Sequence, residues 1–347
     1  MARKILITGG AGFIGINTAA KMLKDGHKII IFDNLSRKGG KENLKWLKKF
    51  GHYDFIQGDV ADHDAVKKAV ASHKEMDGLL HLAGQVAVTT SITDPRRDFE
   101  SNLLGTFNVL EAVRDSGIKP VVIYASTNKV YGGMKDVKTI EDDKRYSYKD
   151  FPHGIPETMQ LDFHSPYGCS KGAGDQYIRD YGRIYHIPTV VFRQSCIYGP
   201  RQFGIEDQGW LAWFIIAATL GKLTSIYGNG KQVRDVLYVD DLVHAYELAI
   251  ENPKKVGGKV FNIGGGPEFS LSIWEEFRPI LEKLTGREIK VTKKPKRQGD
   301  QPIYISDIRK IKKELGWAPM VAPEEGITRL HDWISKNKKT IELALAS

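Results

Sequence analysis

A chain of 347 residues, 41% apolar and 27% charged, is long enough for one large or two closely packed globular domains. Its longest largely apolar stretch, Trp210–Leu220, falls far short of the roughly 20 residues that cross a bilayer, so no membrane partner is expected, and Cys169 and Cys196 imply no disulfide framework and fit a reducing cytoplasm. The net charge of +9 raises nucleic acid as a partner, but the basic runs at 293–297, 309–313 and 336–339 are short, interrupted and without zinc-ligand or aromatic RNA-binding patterns, so the excess reads as solvated surface with a few anion-binding arginines.

Met1–Ile5 leads straight into a β-like run with no signal-cleavage pattern. Aliphatic runs predict strands at Lys4–Thr8, Lys28–Phe32, Asp54–Ile56, Gly78–His81, Val121–Ala125 and Val190–Arg193. Helical patterns fall between them at Asn17–Asp25, Asp64–Ser72 and Leu103–Ser116. This alternation implies βαβ units and an α/β fold built on a doubly wound parallel sheet. Met134–Phe163 is polar and reads as a long loop, of the kind that covers binding sites. Beyond Pro200 the alternation weakens. Residues 1–200 with about 235–266 are expected to form the main domain, and 201–234 with about 267–347 a smaller mixed α/β lobe. Val236–Glu251 and Val260–Ile263 read as a helix-containing return to the main sheet.

The run Ile5-Leu6-Ile7-Thr8-Gly9-Gly10-Ala11-Gly12-Phe13-Ile14-Gly15 is a buried strand ending in glycines, with a helix after it. Gly9 permits a tight turn, Gly12 close approach to a pyrophosphate, and Gly15 close helix–strand packing. The following helix offers free N–H groups to phosphate. Asp33 ends the next strand, where a carboxylate accepts from an adenosine ribose diol and repels a 2′-phosphate. The pattern predicts a Rossmann site for NAD rather than NADP, although Arg37 and Lys38 stand nearby. Asp33 is otherwise a turn residue before Asn34. Asp59, in Gly58-Asp59-Val60, edges the adenine, or is a simple loop acid or helix cap.

Ser165-Pro166-Tyr167-Gly168-Cys169-Ser170-Lys171 predicts a helix start with Ser165 as cap and Pro166 in the first turn. Tyr167 and Lys171, four apart, share a face. A phenol beside an ammonium and an oxidised nicotinamide ionises more readily and serves as a base. The bland alternative is a packed aromatic and a solvated lysine. Val121–Ala125 ends in Ser126-Thr127-Asn128 at the sheet's carboxyl edge, where open α/β sheets bind ligands. There Thr127 can hold a sugar oxygen while Tyr167 takes its proton. His164 reads as a satisfied loop histidine, and Trp210 as pocket wall or core.

Gly9–Gly15, Asp33, His81-Leu82-Ala83-Gly84, Asn102 within Asn-Leu-Leu-Gly-Thr, Thr127 and Tyr167–Lys171 together resemble the extended short-chain dehydrogenases/reductases. Tyr198-Gly199-Pro200-Arg201, Arg234-Asp235-Val236, Asn262-Ile263-Gly264 and Arg297-Gln298-Gly299-Asp300 extend the likeness to the sugar-nucleotide epimerase and dehydratase branch. It covers essentially the whole chain. The resemblance implies catalysis by Thr127, Tyr167 and Lys171. It implies an NAD site of Gly9, Gly12, Phe13, Ile14, Gly15, Asp33, Asn34, Ser36, Arg37, Asp59, Val60, Leu82, Ala83, Gly84, Gln85, Asn102, Tyr167 and Lys171, with no metal. Arg234 and Arg297 resemble a diphosphate clamp, and Asn128, Gln208 and Asp300 fall on the substrate side. Asn102 is either fold-supporting or a cap for Leu103–Ser116.

Asp33–Gly39, Gly84–Ala87, Ser126–Gly132, Leu161–Lys171, Arg201–Phe203 and Asp207–Trp210 are most similar to 2-epimerases of CDP-hexoses. That likeness implies tightly held NAD, a nucleotide-sugar substrate with CDP-hexose favoured, and a homodimer through Leu103–Ser116 and Pro166–Tyr185. Asn128 and Lys129 stand where dehydratases of the branch carry Asp-Glu, and Cys196 where the branch usually has Asn. A UDP-sugar 4-epimerase shares the same catalytic residues and remains the rival enzyme. A non-catalytic NAD-binding regulatory or RNA-associated protein is the rival of another class.

Overall fold

The computed structural model describes residues 2–296 and 301–346. Seven strands form one parallel sheet in the order Lys259–Ile263, Thr189–Gln194, Val121–Thr127, Gly78–His81, Lys4–Thr8, Lys28–Asp33 and Asp54–Gln57. Lys4–Thr8 pairs with Lys28–Asp33 on one side and Gly78–His81 on the other, so the strand order reverses beside the glycine-rich turn. Ligands of doubly wound sheets bind at that reversal.

The six aliphatic runs of the first half are strands, because helices cover both faces and the inner strands are apolar on both sides, while the edge strand Asp54–Gln57 is largely exposed. Ile5, Ile7, Ile29 and Ile31 face one core, shared with helices Phe13–Lys24 and Val239–Glu251. Leu6, Ile30 and Phe32 face the other, shared with helices His63–Ala71, Gly105–Ser116 and Ser165–Ile184.

Three local readings change. Met134–Phe163 carries a short antiparallel hairpin, Thr139–Glu141 with Tyr146–Tyr148, packed over Tyr131, Ile155 and Tyr304. Val236–Tyr238 does not return to the main sheet. It ends strand Val233–Tyr238 of a second sheet, which pairs with Cys196–Tyr198, Ser270–Ser272 and Ile303–Tyr304. Lys259–Ile263 does return, beside Thr189–Gln194. Asn102 caps nothing: it lies inside a π-helical turn, Glu100–Leu104, between helices Pro95–Phe99 and Gly105–Ser116. A third core gathers Leu211, Phe214, Trp274, Phe277, Ile327 and Leu330 around helix Trp210–Thr219. Among the described residues no helix is long and apolar enough to cross a membrane.

Candidate active site

Strand Lys4–Thr8 ends in a turn that leaves no room for side chains. Gly9 has φ +70°, and a Cβ there would lie 2.6 Å from Ala83 N. A Cβ on Gly15 would lie 2.6 Å from Gly10 Cα. Gly12 is the N-cap of helix Phe13–Lys24, whose first turn holds no acidic residue. Phe13 and Ile14 open that helix, so their N–H groups precede its i to i−4 ladder and suit an anion. The turn therefore fits a dinucleotide pyrophosphate.

Asp33, the last residue of strand Lys28–Asp33, is 8% exposed. Its Oδ2 accepts from Ala11 N at 3.0 Å and its Oδ1 from Leu35 N at 2.7 Å. Burial holds its carboxyl above the usual range, and the two backbone donors pull it back down. It is thus both a turn residue and a carboxylate clamped to the glycine loop. Asn34 donates to Asp59 Oδ2 at 2.7 Å, and Asn34 Oδ1 accepts from Ser36 N at 2.9 Å. Asp59 Oδ1 accepts from Ala61 N at 3.0 Å, and Val60 is buried against Gly105. Arg37 is exposed and donates to the Gln208 side chain.

Leu82, Ala83 and Gly84 follow strand Gly78–His81. Leu82 N donates to Thr8 O at 3.1 Å and Ala83 N to Thr8 Oγ1 at 3.3 Å, which lays this segment beside the glycine turn. Gln85 and Asn102 have their carboxamide nitrogens committed to the protein. Gln85 Nε2 donates to Ala87 O at 2.7 Å, and Asn102 Nδ2 to Gln85 O at 2.9 Å. Both also donate to Asp98 Oδ1.

Thr127 closes strand Val121–Thr127, buried beside the helix that carries Tyr167 and Lys171. That helix spans Ser165–Ile184. Ser165 itself has φ +67°, and its Oγ accepts from Gly168 N at 3.2 Å, a capping bond that fixes the first turn. Burial pushes the Tyr167 phenol up to about 12, and a hydrogen bond with the Thr127 side chain opposes the rise. The Lys171 ammonium stands 4.1 Å over the Tyr124 ring, and burial pushes it down to about 7. The expected pull of lysine on phenol is therefore outweighed in this state, because desolvation disfavours both charged forms. His164 is exposed, as a loop histidine would be.

Thr127 and Tyr167 meet through their side chains, with Lys171 one helical turn beyond Tyr167 and a buried ion pair one turn further on. Arg193 donates from Nε to Asp175 Oδ2 at 2.8 Å and from Nη2 to Asp175 Oδ1 at 3.1 Å. Ser126 Oγ donates to the same Oδ2 at 3.0 Å. Arg193 Nη1 also donates to Tyr131 Oη at 3.1 Å, and Tyr131 donates to Asn262 Oδ1 at 2.6 Å. Sequence reasoning missed this network, although Asp175 four residues after Lys171 was a signal.

Of the residues expected on the substrate side, Asn128 is buried, and its Oδ1 accepts from Thr127 Oγ1 at 3.4 Å. Arg234 donates to Val233 O at 2.7 Å and to Gln301 O at 2.8 Å. Trp210 packs edge-on against Phe277 with centroids 5.4 Å apart, so its ring is core. Burial pushes the Cys196 thiol up. Arg297 and Asp300 lie outside the described residues.

A family profile described as GDP-mannose 4,6 dehydratase matches residues 6–330. The CDP-paratose 2-epimerase of Salmonella typhi is 47% identical over 337 residues, covering 96% of this chain and 99% of that one. The crystal structure of UDP-glucose 4-epimerase from Thermotoga maritima, with UDP-glucose, is similar at a TM-score of 0.82 and 32% identity, covering 96% of this chain and 99% of that one. A dTDP-glucose 4,6-dehydratase from Streptomyces venezuelae, with NAD bound, is similar at a TM-score of 0.83 and 28% identity, covering 98% and 99%. With nearly the whole chain matched, this protein belongs to the GDP-mannose 4,6 dehydratase family of extended short-chain dehydrogenases/reductases, which groups nucleotide-sugar epimerases with dehydratases.

Proposed function

We propose that the protein is a nucleotide-sugar 2-epimerase of the CDP-paratose/CDP-tyvelose type. The protein is an NAD-dependent enzyme of the epimerase and dehydratase group. The observation that supports the finer reading is the 47% identity to a CDP-paratose 2-epimerase over nearly the whole chain; Thr127, Tyr167 and Lys171, which a 4-epimerase would share, support epimerase chemistry in general.

NAD, when bound, supplies a reversible acceptor for the hydrogen on sugar C2. Tyr167 Oη removes the C2 hydroxyl proton and later returns it. Thr127 Oγ1 orients that oxygen, and Lys171 supplies the positive charge that favours the phenolate. The sugar then turns its other face while the nucleotide stays anchored, a task for Arg234 and, by sequence, Arg297 with Asp300. Asn128 and Gln208 face the sugar or the base. Dehydration needs a further acid–base pair, and Asn128 and Lys129 do not supply one.

A homodimer fits the surface. Phe107 and Tyr177, 37% and 44% exposed, meet edge-to-face at 5.8 Å across helices Gly105–Ser116 and Ser165–Ile184. A cytoplasmic setting suits free Cys169 and Cys196.

The deciding experiment incubates the purified protein with CDP- and UDP-hexoses carrying deuterium at C2 and resolves the products by NMR. The reading expects inversion at C2 with the label kept there. Inversion at C4 would replace it with the 4-epimerase reading, which 4-epimerase relatives make the natural rival. Loss of label to water would overturn the hydride mechanism.

A further inference from the structure

The segment just before the π-helical turn buries a charge that the proposed chemistry leaves unused. Asp98 lies in helix Pro95–Phe99, which packs against helix Ser165–Ile184. Its side chain is fully buried. Oδ1 accepts from Gln85 Nε2 at 3.1 Å and Asn102 Nδ2 at 2.9 Å. Burial pushes this carboxyl up, and the Ser170 hydroxyl, the Asn102 and Gln85 carboxamides and the charge of Lys171 pull it back down. Two carboxamides fill lone pairs but bring no charge, and a buried carboxylate left with neutral donors is costly unless a cation is near.

Lys171 has the complementary need. Its ammonium is buried over Tyr124, and two acids act on it, Asp98 and Asp175. Asp175 is already held at both oxygens by Arg193 and at one by Ser126. The other titratable groups facing this space, among the described residues, are His81, Tyr124 and Tyr167. His81, pushed down to about 3 by burial, is neutral and hydrogen-bonded to Thr8 at 2.8 Å and Thr106 at 3.0 Å. Asp98 is the acid left to balance Lys171.

We propose that Asp98 is a positioning residue, the counter-charge that keeps Lys171 protonated and fixed beside Tyr167, with Gln85 and Asn102 holding its carboxylate in place. The proposal rests on the roles given above to Tyr167 and Lys171, and not on which sugar carbon is inverted. It also gives Gln85 and Asn102 a function one step behind the cofactor. Asp98 acts on both partners in the same sense: its negative charge favours the ammonium of Lys171 and disfavours the phenolate of Tyr167. Removing the charge therefore lowers both titration midpoints, and both limbs of the pH–rate profile move to lower pH. A merely structural residue would reduce the amplitude and leave the limbs in place.

The test uses full-length, NAD-loaded protein with ¹³C at lysine Cε, the Lys171 resonance being identified by its absence in Lys171→Met. Asp98→Asn should lower the Lys171 midpoint by about one pH unit or more, the usual scale for loss of a close opposite charge. Asp98→Glu, which keeps the charge, should move it back toward the native value. An unmoved midpoint in folded Asp98→Asn overturns the proposal. If that variant does not fold, the Asp98 carboxyl resonance of the native protein decides, assigned by its absence in Asp98→Glu. It must be ionised at neutral pH and respond as Lys171 loses its proton; a carboxyl still protonated at neutral pH overturns the proposal. Neither readout needs turnover, so an inert protein, or inversion at C4, counts against the functional reading alone.

Discussion

The carboxyl edge of the seven-stranded sheet and the second sheet around Val233–Tyr238, which with its loops we propose as a smaller lobe, hold their polar residues by different means. At the sheet edge Asp33, Thr127 and Lys171 are buried side chains on strands or a long helix. Each strand there is pinned by parallel neighbours, as Thr127 is by Gln194. On the lobe side Gln208 sits in a loop whose backbone closes on Ile205, and its side chain reaches Arg37 of the opposite region. Arg234 is on a strand, but its guanidinium is turned onto the carbonyls of Val233 and Gln301. Chemistry needs sub-ångström placement, which a packed sheet supplies, whereas recognition tolerates the compliance of loops. Damage at the edge should therefore appear in turnover, folding or cofactor binding, and damage in the lobe in substrate affinity.

The sharpest way to break that contrast is Tyr167→Phe. The ring keeps its packing and loses only the oxygen, so the variant should fold, bind NAD and lose about 10²–10⁴-fold in kcat, the usual worth of general acid–base catalysis. Single-turnover kinetics beside a thermal melt would check it. Activity within threefold of the parent would move the base elsewhere, with exposed His164 the first place to look.

Next in size is the ion pair beneath the site. Arg193 and Asp175 side chains are 2% and 0% exposed. Arg193→Met strands the Asp175 carboxylate in the interior and should cost about 3–5 kcal/mol in urea unfolding. Adding Asp175→Asn should recover part of that loss, since the uncompensated charge is then gone. A loss below about 1 kcal/mol would mean that water reaches this site, and the edge would be no more rigid than the lobe.

Asp33→Ala comes third. Losing a charged hydrogen-bond partner should weaken NAD by about 1.5–3 kcal/mol, read by calorimetry on cofactor-free protein. Asp33→Asn separates two contributions. Asparagine keeps an acceptor for the 2.7 Å bond from Leu35 N but removes the charge that repels a 2′-phosphate. It should therefore lose preference for NAD over NADP more than it loses stability. An unchanged preference in both variants would mean that the charge of Asp33 does not set the discrimination.

The same contrast explains what was legible in the sequence. Ile5-Leu6-Ile7 and Ile29-Ile30-Ile31 announce strands because both faces are covered, and Gly9 and Gly15 announce the turn because backbone occupies the space a Cβ would need. Thr127, Tyr167 and Lys171 follow from a strand end and a helical spacing. Thr139–Glu141 and Tyr146–Tyr148 stayed hidden because three-residue strands around the charged turn 142–145 carry no period. Val233–Tyr238 was misplaced because its partners Cys196–Tyr198, Ser270–Ser272 and Ile303–Tyr304 are distant in the chain. Asp98 was overlooked because Arg96-Arg97-Asp98 reads as a charged surface run, and only the packing of its helix on Ser165–Ile184 buries the acid. Tertiary burial, which local pattern does not encode, decides such residues.

The smallest predicted effect tests whether the two regions communicate. Gln208 Oε1 accepts from Arg37 Nη2, and Arg37 is four residues beyond Asp33. The contact joins a lobe loop to the NAD-side loop, so tight cofactor binding and substrate closure could share it. Arg37 is exposed as a residue, although burial pulls its guanidinium down, so water reaches part of this contact and can replace it. Gln208→Ala should therefore change substrate KM by less than about fivefold, or about 1 kcal/mol, and leave kcat nearly unchanged. Gln208→Glu, which adds a charge facing Arg37, should tighten the same contact and fade in high salt. If Gln208→Ala instead lowers kcat by more than tenfold, the loop is part of the catalytic scaffold. The division between a rigid edge for chemistry and a compliant lobe for recognition would then fail at this residue.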